Sequence, residues 1–159
     1  METKEIIEKL QLLPHPEGGF YKETYRSAAD IRIDGNARQM CTSIYYLLED
    51  DNISHFHRIK SDELWFFHLG EPLEIITLNN GQVETILLGS AIEKGELLQA
   101  VIPAGIWFGS RIKSQKGFVL VSCTVAPGFD FADFELAKRE DLLREYPHYE
   151  ELVKELTYD

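Results

Sequence analysis

Three of the five histidines in this 159-residue chain lie within residues 54–70, among acidic and aromatic residues. Alternate side chains of a strand project from one face, so His55 and His57 share a face of a predicted strand over 54–58. Glu63 begins the next predicted strand, where its carboxyl can face the two imidazoles across a hairpin. Such a set can hold a divalent transition metal, or work as a base with its orienting partner. We predict His57 and Glu63 as catalytic residues and His55 as a ligand-binding residue.

Other side chains are candidates for the same pocket. Strand alternation puts Trp65 and Phe67 on the face of Glu63, where they either line a pocket or fill the core. Glu23 and Arg26, on the first predicted strand, can reach the pocket or pair with each other at the surface. The predicted ligand-binding residues are therefore His55, Trp65, Phe67, Phe108, Glu23 and Arg26.

The remaining histidines receive no predicted role in the site. His15 and His148 lie beside prolines, which is typical of loops. His68 is expected to face away from Glu63 because of strand alternation. Gly18-Gly19 lacks the Lys-Ser/Thr ending of a phosphate loop and is interpreted as a turn or bulge into the first strand.

The segment from His55 to Gly70 resembles the first motif of the cupin superfamily, His-x-His, three or four residues, Glu, six residues, Gly. Glu63 and Gly70 match its second half, but the two histidines match only if the connecting turn is one residue longer. With the shorter turn, His57 takes the first histidine position and Ile59 the second. In the second cupin motif, Pro-x-Gly-x-x-His, this chain has Phe108 in place of the metal-binding histidine. The resemblance implies an incomplete metal set, in which His55, His57 and Glu63 are the ligands if a metal binds.

A closer similarity, covering nearly the whole chain, is to the cupin family known as domain of unknown function 985. The matching stretches are residues 13–23, 42–48, 57–58 with 61–65, 103–105 and 123–131. This resemblance implies a jelly-roll barrel, often a homodimer, that retains the counterparts of His57 and Glu63 but not of His55. The family usually carries a polar residue, commonly Gln, at the position of Phe108, so the pocket here is expected to be drier.

Short runs of β-branched and aromatic residues, separated by Gly, Asn, Asp or Pro, predict nine strands. They cover about 20–26, 41–48, 54–58, 63–69, 73–79, 82–88, 98–102, 107–112 and 117–125. Strands this closely spaced leave no room for crossover helices, so the sheet must be antiparallel and closed or doubled. Helical periodicity appears only at the two ends, over 3–13 and after Pro127-Gly128.

The predicted fold class is therefore mainly β, a cupin double-stranded β-helix or jelly-roll barrel with short N-terminal and C-terminal helices. We predict a single cupin domain over 1–159, with the barrel core at about 18–128 and a C-terminal helical appendage at about 132–157. The size suits one hydrophobic core.

Composition excludes several classes of protein. The formal net charge of −11 repels a phosphate backbone, and the basic residues form no run, so no nucleic-acid partner is expected. No segment approaches the roughly 20 apolar residues of a membrane helix, and the N-terminus has no signal-peptide pattern, so we expect a cytoplasmic protein without a membrane partner. Cys41 and Cys123 are predicted to be reduced thiols in apolar segments.

Three functional hypotheses follow, all with a small-molecule ligand in the barrel. The first is a metal-independent isomerase or epimerase acting on a carbohydrate-like or nucleotide-linked molecule, with His57 as base and Glu63 as its partner. The second is a non-catalytic ligand-binding module. The third is a metal-dependent oxygenase or isomerase, which Phe108 disfavours. No cofactor is expected, a divalent metal is the fallback, and a homodimer is predicted.

Overall fold

The computed structural model describes residues 3–159, and nine of its strands lie where the sequence predicts them. Four of the nine have the predicted bounds, including the pair joined by the Asn80-Gly81 hairpin turn. The strands are β1 Leu13–Pro14, β2 Phe20–Arg26, β3 Asp30–Ile33, β4 Asn36–Gln39, β5 Thr42–Glu49, β6 Ile53–Arg58, β7 Asp62–Gly70, β8 Leu73–Asn79, β9 Gln82–Leu88, β10 Gln99–Ile102, β11 Trp107–Ile112, β12 Phe118–Ala126 and β13 Glu135–Leu136. The helices are α1 Thr3–Leu10, α2 Arg139–Glu145 and α3 Glu150–Glu155.

Two antiparallel sheets form the body of the molecule. One has the strand order β1-β2-β5-β12-β7-β10, and the other has the order β13-β6-β11-β8-β9. The main core lies between them, because its buried residues come from strands of both sheets, among them Trp65 on β7 and Phe108 on β11. This arrangement is the predicted jelly roll. Among residues 3–159, no helix is long and apolar enough to span a bilayer.

The helices cover outer surfaces of the sheets. Helix α1 ends at Leu10, earlier than predicted, and buries Ile6 in a cluster with Leu47. Helices α2 and α3 bury Leu142 and Val153 in a second cluster, against apolar side chains of the five-stranded sheet. The predicted helical appendage therefore packs on the barrel, and the chain end returns to β6, where Phe56 N–H donates to Leu156 O.

The short hairpin of β3 and β4 was not predicted from the sequence. Its residues are mostly exposed, so burial leaves only a weak alternating pattern in the sequence. The signal that was present is Asp34-Gly35, whose positive φ values of 48° and 81° suit a two-residue hairpin turn.

Candidate functional site

A cavity of about 560 Å³ opens among the inner strands and the segments that flank them. Its walls come from β2, β5, β6, β7 and β12, from the loop before β2, and from the segment that follows β12. The lining residues are His15, Glu17, Tyr21, Glu23, Arg26, Thr42, Ile44, His57, Ile59, Glu63, Cys123, Val125, Phe129, Asp130, Phe131 and Phe134.

His57 and Glu63 line this cavity from opposite sheets. Strand β6, which carries His57, pairs with β11 and β13, whereas β7, which carries Glu63, pairs with β12 and β10. The expected hairpin between these two strands is therefore absent. The two side chains reach one cavity because the short connection between β6 and β7 crosses from one sheet to the other.

His57 forms an ion pair with Glu17, a residue for which the sequence predicted no role. Its Nε2 lies 2.9 Å from Oε2 of Glu17, and both side chains are almost fully buried. The Nδ1 of His57 lies 2.8 Å from the carbonyl oxygen of His55. Because a carbonyl and a carboxylate can only accept, both ring nitrogens carry protons and the ring is an imidazolium.

The pKa values of the pair follow from this contact. Burial raises the pKa of Glu17, but the charge and the hydrogen bond of His57 outweigh burial and lower it to about 2. Burial lowers the pKa of His57, but Glu17 more than offsets this and leaves it raised. The ion pair therefore stabilises the charged form of both side chains.

The backbone around Glu17 is fixed by close contacts. Gly18 and Gly19 have φ values of +112° and +74°, and a Cβ at Gly18 would lie 2.0 Å from the carbonyl oxygen of Ile53. Glycine is thus required for the loop to approach β6. The buried hydroxyl of Tyr46 donates to Gly18 O at 2.7 Å, which holds the loop from β5.

His55 supports Glu17 from behind. The backbone N–H of His55 donates to Glu17 O at 2.8 Å, and its Nδ1 donates to the same oxygen at 2.7 Å. On its other side the ring stacks on Tyr158, with centroids 3.6 Å apart, and the Tyr158 hydroxyl donates to Pro16 O. Burial lowers the pKa of His55, so this ring is neutral. His55 therefore contacts the loop and the C-terminal segment, and it does not line the cavity.

Glu63 has the opposite chemical character to Glu17. Burial raises its pKa to about 7, and the charges of His57 and Glu17 act on it in opposite directions. The nearby thiol of Cys123 favours its ionised form. The indole N–H of Trp65 favours that form too, although it makes no hydrogen bond among the described residues at normal bonding distance. Near neutral pH, Glu63 is thus divided between its protonated and ionised forms.

The predicted ligand-binding residues divide into two groups. Glu23 and Arg26 line the cavity and form an ion pair with each other at 2.7 Å. Trp65, Phe67 and Phe108 lie in the main core instead, with Trp65 and Phe108 almost fully buried. Strand alternation placed the two β7 aromatics on the inner face, but it cannot say how far along the barrel the cavity extends.

The fallback metal set does not have a geometry that fits a metal. His55 is turned onto Tyr158, and both nitrogens of His57 are engaged by Glu17 and by a backbone oxygen. Phe108, whose ring lies 4.2 Å from that of His57, supplies no donor atom. Within residues 3–159, no group of three His, Cys, Asp or Glu side chains is arranged to hold a metal ion.

Other members of the cavity wall were not predicted from the sequence. His15 lies in a loop, as predicted, but it lines the cavity and its Nδ1 accepts a hydrogen bond from Glu17 N–H at 3.2 Å. The aromatic residues Phe129, Phe131 and Phe134 come from the segment after β12. The available signal was the resemblance itself, because residues 13–23 and 123–131 were among its matching stretches.

Comparisons with known proteins identify the family. The sequence model of the family DUF985, which belongs to the cupin superfamily, matches residues 4–137. The chain belongs to this family. An uncharacterized protein of Saccharomyces cerevisiae is 33% identical over 156 residues, covering 89% of this chain and 78% of the relative.

Two solved structures share the DUF985 fold over essentially their whole length. A hypothetical protein from Leishmania major has a TM-score of 0.94 and 38% identity, with 100% of both chains covered. A protein from Shewanella oneidensis has a TM-score of 0.93 and 42% identity, with 99% of this chain and 98% of that one covered. More distant structures, such as oxalate decarboxylase from Bacillus subtilis at 12% identity and a TM-score of 0.57, share the fold alone.

Proposed function

We propose that this DUF985 cupin binds a small polar ligand in the barrel cavity and that Glu63 exchanges a proton with it, as in a metal-independent isomerase or epimerase. The observation that carries the proposal is the presence of two buried carboxyl groups with opposite proton affinity in one cavity. Such separation is typical of acid and base assignments in active sites.

Glu63 suits the role of the transferring group. A catalytic pKa near the working pH allows the same carboxyl to take up and return a proton. In the proposed step, the Glu63 carboxylate takes a proton from a carbon next to a carbonyl, and the C–H electron pair forms the enolate. In an isomerase, Glu63 returns the proton on the same face to the former carbonyl carbon while the proton of the adjacent hydroxyl moves to the former carbonyl oxygen. In an epimerase, a water molecule protonates the opposite face of the first carbon and Glu63 releases its proton to solvent. Neither reaction needs an external oxidant or reductant.

His57 has a different proposed role from the one predicted from sequence. As an imidazolium bonded through both nitrogens, it has no lone pair to accept a proton. Its charge favours the ionised form of Glu63 and so keeps the pKa of that carboxyl from rising further. We therefore assign proton transfer to Glu63 and positioning to the Glu17–His57 pair.

A non-catalytic binding module is the second candidate, because apolar walls with a few polar groups serve binding equally well. The exposed aromatic rim, with Phe131 52% exposed, favours ligand contact without requiring turnover. The two candidates differ in one property, namely whether Glu63 moves a proton of the ligand.

Deuterium exchange tests this difference directly. The protein is incubated in D₂O with a panel of sugars and small hydroxy-carbonyl compounds, and C–H to C–D exchange is followed by NMR. We expect exchange next to the carbonyl of at least one compound, reduced about 100-fold or more in Glu63→Gln. The matched control is Glu96→Gln, a buried carboxyl on a different part of the barrel.

The outcomes separate the candidates. Exchange that survives in Glu63→Gln would refute the role of Glu63. A compound that binds in the cavity without any exchange would favour the binding module.

We also propose a homodimer, as the family resemblance implies. The edge strand β10 and the residues before it expose the apolar side chains of Leu97, Leu98 and Val101, which is consistent with a protein interface. Light scattering at micromolar concentration should give twice the chain mass, and a monomer mass would contradict this.

A further inference from the structure

We propose, building on the cavity function above, that the ligand of this site carries no negative charge: it is a hydroxylated molecule that is neutral or bears an amine, and not a phosphate ester or nucleotide. This narrows the ligand class predicted from sequence, which included nucleotide-linked molecules. The proposal rests on the hydrogen bonds already made by the cations of the cavity wall.

Arg26 has no donor left for an anion. A guanidinium has five N–H groups. Two of them bond the Glu23 carboxylate at 2.9 and 2.7 Å, one bonds Gln39 Oε1 at 2.7 Å, and two share Phe129 O at 3.2 Å. Binding a phosphate here would require breaking an ion pair and exposing the Glu23 carboxylate to a second anion.

The imidazoles of the wall offer no unpaired positive charge to an anion. Both nitrogens of His57 are bonded, one of them to the Glu17 carboxylate. Nδ1 of His15 accepts the Glu17 N–H, and burial lowers the pKa of this ring, so His15 is neutral. The described lining contains no lysine.

Carboxyl groups outnumber cations in the same wall. Four acidic residues, Glu17, Glu23, Glu63 and Asp130, face the cavity, against the cations Arg26 and His57. After the two ion pairs are formed, Asp130 and the ionisable Glu63 form no ion pair of their own with the described lining residues, and Arg26 and His57 act on them only at longer range. A phosphate, with nearly two negative charges, is repelled by this excess, whereas a protonated amine is attracted.

The rim supplies the complementary apolar contact. Phe129, Phe131 and Phe134 form a cluster of aromatic rings with centroids 4.9 to 6.2 Å apart. Ring faces of this kind pack against the C–H faces of a sugar-like molecule and attract cations through their quadrupole. Neither contact favours a phosphate.

Three nitroxide probes that share one ring and differ in charge test the proposal without knowledge of the natural ligand. They are 4-amino-TEMPO, 4-hydroxy-TEMPO and 4-phosphonooxy-TEMPO. The readout is the paramagnetic relaxation enhancement of the cavity methyl groups of Ile44, Ile59 and Val125, divided by that of the methyl groups of the exposed Ile92. This ratio corrects for the overall charge of the chain.

We expect the ratio to be highest for the amino probe and at least about threefold lower for the phosphonooxy probe. Glu23→Gln should raise the ratio of the phosphonooxy probe severalfold, because Arg26 then loses its anionic partner. Glu84→Gln, which removes the same charge from the exposed face of β9, is the matched control and should leave the ratio unchanged.

A phosphonooxy ratio equal to or above that of the hydroxy probe overturns the proposal on charge. If none of the three probes relaxes the cavity methyl groups more than the surface ones, ligand access itself is refuted and the proposed function fails with it. The measurement involves no turnover, so failure of proton exchange by Glu63 leaves this result unaffected.

Discussion

Glu17 and Glu63 line the same cavity with similar exposure, yet their carboxyl groups have opposite proton affinities. Glu17 is 6% exposed with a pKa lowered to about 2, whereas Glu63 is 8% exposed with a pKa raised to about 7. Burial raises the pKa of both. The difference comes from the partner, because only Glu17 makes a direct ion pair with His57.

The two surroundings are built in different ways. Glu17 lies in a loop that is fixed by Gly18, by the Tyr46 hydroxyl and by His55, and this loop brings the carboxylate to the imidazole. Glu63 lies on β7, which pairs with β10 and β12, and a thiol and an indole are its near polar neighbours. A fixed ion pair suits positioning, and a carboxyl without a cation at bonding distance suits proton transfer.

The largest expected effect comes from breaking the ion pair. Glu17→Gln leaves a buried imidazole without its carboxylate, and loss of one partner of a buried pair costs about 3 to 5 kcal/mol. Urea unfolding at pH 7 measures this free energy. Glu84→Gln, at an exposed position on β9, should change it by less than about 0.5 kcal/mol. A loss below about 1 kcal/mol in Glu17→Gln would mean that the pair does not hold the loop.

The effect of Glu63→Gln on the free energy of unfolding should depend on pH. The folded state keeps the Glu63 proton up to about pH 7, while the unfolded chain releases it near pH 4.5. The stability of the parent therefore falls as pH rises from 4.5 to 7, by up to about 3 kcal/mol from this group.

Because glutamine does not titrate, Glu63→Gln should gain stability relative to the parent across this window and keep a constant difference above it. Urea unfolding of both proteins at pH 5, 6, 7 and 8 gives the comparison. A difference that stays flat from pH 5 to 8 would show that Glu63 has an ordinary pKa.

Removing the support behind Glu17 should have a smaller effect. Tyr158→Ala loses the stack on His55 and the hydrogen bond to Pro16, an expected cost of about 1 to 2 kcal/mol. Tyr158→Phe keeps the stack and should lose about half as much. The His57 ring signals in NMR spectra should shift in Tyr158→Ala but not in Tyr149→Ala, which removes a half-exposed ring nearby in sequence. Unchanged His57 signals in Tyr158→Ala would show that the C-terminal segment does not support the site.

The smallest expected effect concerns metal binding, which Phe108→His should change only slightly. The new imidazole would lie beside His57, but zinc would still have to displace Glu17 from His57 Nε2. We expect a gain in zinc affinity of no more than about tenfold by calorimetry. One zinc ion held tightly by each chain of the parent, purified without chelator, would contradict the view that the donor set is unsuitable.

The strands were predictable because the sequence signals that define them are local. Alternation of apolar residues and turn residues such as Asn80-Gly81 determined nine strands, and it also directed Glu63 and Trp65 to the inner face. Alternation defines which face of the sheet a side chain projects from, but not its position along the barrel. It could therefore not predict that Glu63 lines the cavity whereas Trp65 is buried in the core. The β3–β4 hairpin was missed because its exposed residues leave little pattern.

The partner of His57 was not predictable from local pattern. Glu17 reaches β6 only through a loop with two left-handed glycines, and no spacing rule connects a loop residue with a distant strand. His15 was predicted as a loop residue because it lies beside prolines, and it is one, but the loop forms part of the cavity wall. His57 and Glu63 come together because their two sheets pack against each other, and not because their strands pair in a hairpin.

The most direct test of the contrast is a pH titration of the glutamate side-chain carboxyl carbons by ¹³C NMR, with Glu17→Gln and Glu63→Gln used to assign the two signals. The contrast predicts one buried carboxyl that titrates at about pH 2 and another at about pH 7. Two values near 4.5, or the two values interchanged, would contradict the assignment of positioning to Glu17 and proton transfer to Glu63.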